Sequence, residues 1–119
     1  MDIEEFRKYC MAKKGVTECF PFDDVTLVLK VGTKMFLCLD INEDILKVNL
    51  KCDPVTAMGL RDRYKAVKPG YHMNKLHWNT VEFDGSISED ELKEMIDNSY
   101  ELVFKKLKKS EREEIEKQC

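Results

Sequence analysis

The stretch Pro69-Gly70-Tyr71-His72-Met73-Asn74-Lys75-Leu76-His77-Trp78-Asn79-Thr80-Val81 gathers both histidines and the only tryptophan of the chain. An imidazole titrates near neutrality, so His72 or His77 could serve as a general base. Tyr71 and Trp78 offer ring faces that can stack on a nucleobase or meet a cation. Asn74 adds an amide that can read a hydrogen-bonding pattern. Lys75 lies inside the same stretch, and Lys34, Lys47 and Lys51 precede it as candidate phosphate contacts.

Other chemistry is missing. His72 and His77 sit in a turn and the strand after it, where nothing aims both rings at one metal. No H-x-x-x-H or C-x-x-C pair accompanies them. Neither a Gly-framed serine nor an activated cysteine nor a carboxylate pair is in evidence as a catalytic partner. The expectation is binding rather than catalysis, with no metal and no cofactor. The segment also has a purely structural reading. A Pro-Gly turn needs side chains to hold it, and His72 or Asn74 can do that. Most tryptophans are core residues, and strand alternation leaves open which face of residues 76–83 is buried.

Charge is unevenly distributed. Residues 1–44 carry six basic and nine acidic side chains, residues 45–81 seven and two, and residues 82–119 seven and twelve. The middle third is therefore net +5 in a chain of net −3. The acidic total argues against a bulk nucleic-acid binder, while the middle third permits a local positive surface. Five scattered cysteines, an odd number, exclude a disulfide framework and read as unpaired thiols, with Cys119 expected to be exposed. No apolar run approaches the ~20 residues of a membrane helix. The N-terminal Met1-Asp2-Ile3-Glu4-Glu5 is acidic where a secretory signal is basic. A cytoplasmic monomer is expected.

The elements that position these residues follow from local signals. Residues 2–14 predict a helix capped by Asp2 and ended by Gly15. Residues 15–24 read as a loop with Pro21 between Phe20 and Phe22. Strands are predicted at 25–31 and 34–40, joined by a tight Gly32-Thr33 turn. A third, at 45–52, alternates so that Lys47, Asn49 and Lys51 share one face. Asp53-Pro54 opens a helix to about Tyr64, whose last turn is basic and complements the dipole. A strand at 76–83 ends at Asp84-Gly85. Ser88 and Glu91 form a capping box for a helix reaching about Lys108, and Ser110 with Glu113 repeats that spacing in a polar tail. One α+β domain over residues 1–119 is expected, a mainly antiparallel sheet covered by helices.

An ordered set of residues also carries a family resemblance. Gly32-x-Lys34-Met35-Phe36, Lys51-Cys52-Asp53-Pro54, Pro69 through Lys75, His77-Trp78 and Ser99-Tyr100-Glu101-Leu102-Val103 together resemble the MmcQ/YjbR family of small bacterial proteins. The resemblance implies a CyaY-like (frataxin-like) fold and a predicted DNA-binding, double-wing role. It transfers no iron site, because fold and function separate readily. The leading expectation is thus a DNA-binding module in which Lys34, Lys51 and Lys75 hold phosphates while Tyr71, Asn74, His77 and Trp78 face the bases, with His72 in the same binding set. The alternative is a module for an acidic protein partner or a small anionic ligand. A small-substrate enzyme relying on His72 or His77 is the third class.

Overall fold

The computed structural model describes residues 1–118, so the expectation for Cys119 lies outside the described residues. Six strands form one sheet in the order β1-β2-β3-β4-β6-β5. They are β1 (Val16–Cys19), β2 (Thr26–Val31), β3 (Lys34–Asp40), β4 (Lys47–Lys51), β5 (Val67–Pro69) and β6 (Trp78–Glu82), and every pairing is antiparallel. The helices are α1 (Ile3–Met11), α2 (Pro54–Arg63), α3 (Glu89–Phe104) and α4 (Lys109–Glu116). The α+β class with an antiparallel sheet is as the sequence predicts.

Strand alternation sorts the residues onto two faces. Leu27, Leu29, Leu39, Val48, Leu50 and Val81 join Phe6 of α1 and Leu92, Ile96 and Val103 of α3 in one core. Asn79 turns toward the same side and donates to the α2 carbonyl of Ala57 at 3.3 Å. The helices α1, α2 and α3 therefore share one face. On the other face the register lines up Cys19, Val28, Cys38, Asn49, Thr80 and Lys68 across all six strands.

Local sequence logic explains most boundaries. Asp2, Asp53 and Ser88 cap their helices by accepting from Glu5, Thr56 and Glu91 backbone N–H groups at 2.9, 3.1 and 3.2 Å. Gly32, at φ +58, makes the two-residue turn that pairs Val31 with Lys34. The side chain of Glu91 departs from the capping box and receives the Tyr64 hydroxyl instead.

Three expectations are corrected. Residues 16–19 are an edge strand rather than loop, because pairing with β2 supplies the order that a short polar segment lacks by itself. Residues 67–69 form a second unanticipated edge strand, with Pro69 tolerated there because an edge needs fewer donors. Ser110 does not cap the final helix. Lys108 holds the cap position without a side-chain bond, and the earlier start sets Ile115 against Gly15.

One buried hydroxyl joins helix to sheet. The β2–β3 register shifts between Leu29 and Lys30, leaving Phe36 as the extra residue on β3. The β3–β4 ladder stops at Leu37–Leu50, one step short of Phe36 and Lys51. Ser99 of α3, fully buried at 0% exposure, fills this gap. Its hydroxyl accepts from Lys51 N–H at 2.9 Å and donates to the Phe36 carbonyl at 2.5 Å. Replacing Ser99 by Ala leaves two backbone groups unpaired beneath the helix. Urea unfolding is expected to show a loss of about 1–3 kcal/mol. An unchanged midpoint would show that the sheet closes the gap by itself.

Candidate functional site

The helix-free face of the sheet carries a cleft of about 700 Å³. Its floor is Cys38, Asn49 and Thr80, from three adjacent strands. Phe22 and Asp40 stand toward the β2–β3 side, and Tyr71, His72 and Met73 toward the β5–β6 side. Phe22 is 72% exposed and Tyr71 70% exposed, large apolar surface left open beside a cavity.

A hydrogen-bonded chain builds the second rim. The Thr80 hydroxyl accepts from Tyr71 N–H at 2.9 Å and donates to Asn49 Oδ1 at 2.6 Å. The Asn49 amide nitrogen reaches the Cys38 carbonyl at a long 3.4 Å. Tyr71 is thereby fixed at the cleft, with its ring 4.1 Å from that of His72. His72 itself sits at φ +58, a left-handed backbone that few non-glycine residues adopt.

The rest of the 70–77 loop is spent on its own structure. Lys75 donates its ammonium to the Gly70 carbonyl at 2.8 Å. Asn74 accepts Leu76 N–H on its side chain at 2.9 Å and Trp78 N–H on its carbonyl at 2.9 Å. The His77 carbonyl accepts from Cys52 N–H at 2.8 Å. From the opposite face, Arg61 of α2 donates to Asn79 Oδ1 at 2.7 Å and to the backbone carbonyls of Lys75 and Trp78. Trp78 lies under the loop at 8% exposure. A Cβ on Gly70 would stand 2.9 Å from the Trp78 Cβ, so this closure requires glycine.

The expected site residues are thus divided. Tyr71 and His72, with Lys47, line the cleft. Asn74, Lys75 and His77 hold the loop, and Trp78 is covered by it. Lys34 and Lys51 belong to a different place, where burial and then the charges of Lys106 and Lys34 push the Lys51 ammonium below the usual lysine range. Cross-strand register assembles Cys38, Asn49 and Thr80, and no local sequence pattern marks these three, Phe22 or Asp40 as a site. The shared face of Lys47 and Asn49 was the one available signal.

Charge in the cleft is nearly balanced. Lys47 pairs with Glu43 at 3.8 Å and Lys68 with Glu82 at 2.9 Å. Burial raises the Cys38 thiol above its usual range, so it presents a neutral, apolar surface. Among the described residues no group of three or more His, Cys, Asp or Glu side chains could hold a metal ion.

Replacing Thr80 by Val keeps the shape and removes both bonds of the hydroxyl. The expected result is about 1–2 kcal/mol lower stability, with faster amide exchange at Tyr71 and unchanged exchange in α3. Uniform loss of protection across the protein would mean that the loop is held by something else.

Comparison with known proteins places the chain. A family model described as YjbR matches residues 11–102. The uncharacterised protein YjbR of Escherichia coli (strain K12) is 34% identical over 112 residues, covering 94% of this chain and 95% of that protein. The uncharacterised protein YbdF of Escherichia coli O157:H7 is 36% identical over 112 residues, covering 94% and 92%. A crystal structure of Deinococcus radiodurans protein DR2400, with a domain named DUF419, superposes with a TM-score of 0.90 at 41% identity, covering 96% of this chain and 87% of that one. A Pseudomonas syringae protein structure matches with a TM-score of 0.74 at 27% identity, covering 86% and 98%. The chain belongs to the YjbR family.

Proposed function

We propose that this protein is a non-enzymatic binding module that takes a small molecule in the cleft on the helix-free sheet face, acting as a monomer in the cytoplasm. One observation carries the reading, a cleft whose floor is polar and fixed by hydrogen bonds while its two rims are exposed aromatic rings. Its volume of about 700 Å³ falls within the range of small-ligand sites. The aromatic rims supply contact area, and the few polar floor groups supply orientation. No described helix is long and apolar enough to cross a membrane.

The nucleic-acid reading has a narrower basis. Lys106 and Lys34 both act electrostatically on Lys51, and none of the three makes an ion pair among the described residues. Such unneutralised cations suit phosphate. They are not cleft residues, however, and the buried Trp78 and the engaged Lys75 leave little for base contact. Salt-sensitive DNA binding, read by fluorescence anisotropy and lost in Lys34→Ala/Lys51→Ala, would replace the cleft reading.

Exposed side chains far from special contacts change stability by no more than about 0.5 kcal/mol when truncated. Phe22→Ala/Tyr71→Ala is therefore expected to unfold at the parent temperature while losing the fragments that the parent binds in a ligand-observed NMR screen. Retained binding of the same fragments would place the site elsewhere.

A further inference from the structure

We propose that the cleft, read as above as a small-molecule site, selects an organic cation. Charge complementarity argues for it first. Three carboxylates line the cleft, from Asp40, Glu43 and Glu82, against two lysines, Lys47 and Lys68. Both lysines already have carboxylate partners. Asp40 has none among the described residues, and its carboxylate accepts from Asn42 N–H at 2.8 Å. One carboxylate beside the cavity is left unneutralised, whereas no lysine lining the cleft is left free for an anion.

The rims argue for the same occupant. The face of an aromatic ring is negative and attracts a cation, more strongly where water is excluded. Phe22 and Tyr71 offer two such rings, and Phe22 comes from the same side of the cleft as Asp40. A cleft walled by protein focuses the potential of that carboxylate and raises the local concentration of the opposite charge. The floor then orients the ligand through the Cys38 carbonyl, an acceptor for an ammonium N–H whose bond from the Asn49 amide, at 3.4 Å, is long enough to yield. The favoured ligand is a small amine or ammonium carrying a flat apolar part. This reverses the anionic ligand expected from the positive middle third, because its lysines are paired or stand outside the cleft.

The test uses three probes of similar size, phenethylammonium, 2-phenylethanol and 3-phenylpropionate, titrated into the full-length protein and followed by two-dimensional amide NMR. Saturating shifts at Cys38, Asp40, Asn49 and Tyr71 are expected with the ammonium, with affinity roughly three- to tenfold above the alcohol. The carboxylate should move these amides least. Asp40→Asn keeps an acceptor for Asn42 and should bring the ammonium down to the affinity of the alcohol. Added salt should weaken the ammonium alone in the parent protein, a readout that needs no variant. Equal affinities, or preference for the carboxylate, would overturn the cation inference while the cleft stands. Shifts centred on Lys34, Lys51 and Lys106, or no shifts with any probe, would overturn the cleft reading and the inference together.

Discussion

The Thr80 hydroxyl is the point on which the candidate site depends. It lies on the central row of the helix-free face, and its two hydrogen bonds tie the 70–77 loop to β4. Arg61 secures the same loop from the helix side through Asn79 and two carbonyls. One loop is thus pinned from both faces of a single strand. Trp78 fills the space beneath it, and Gly70 allows the approach. What remains outside is Tyr71 and His72, held without the freedom that an unpinned loop would give them. A site held this way spends little entropy on ordering when a ligand arrives.

Electrostatics follows from the same geometry. The positive middle third looks like a binding surface when charges are counted along the chain. In three dimensions its lysines serve different ends. Lys75 closes the loop, Lys47 and Lys68 face carboxylates, and Lys51 sits with Lys34 and Lys106 away from the cleft. Net charge by segment is a poor guide to local potential when strands from distant segments become neighbours. Glu82 and Lys68, which belong to opposite charge regions of the sequence, illustrate it.

Much of the architecture was legible in local signals. Asp2, Asp53 and Ser88 mark helix starts by the same chemistry in sequence and structure. The alternation of Lys47, Asn49 and Lys51 with Val48 and Leu50 correctly separates the two faces of β4. The short edge strands β1 and β5 were invisible because their order comes from a partner and not from their own pattern. The bulge at Phe36 and its Ser99 bridge were invisible for a related reason, since register is a relation between two strands. For the candidate site, the 69–81 segment mixes residues of two kinds. Asn74, Lys75 and His77 build the loop, while Tyr71, His72, Met73 and Thr80 line the cleft. Phe22 and Asp40, on the far rim, had no signal that distinguishes them from ordinary loop and strand-end residues.

Membership in the YjbR family and the 0.90 superposition on the Deinococcus radiodurans protein establish the fold, and the chemistry must come from the cleft itself. A crystallographic fragment screen tests that most directly, because it reports position without presuming a ligand. Bound fragments are expected to cluster over Cys38, Asn49 and Thr80, between the rings of Phe22 and Tyr71. Clustering beside Lys34, Lys51 and Lys106, with the sheet face empty, would contradict it.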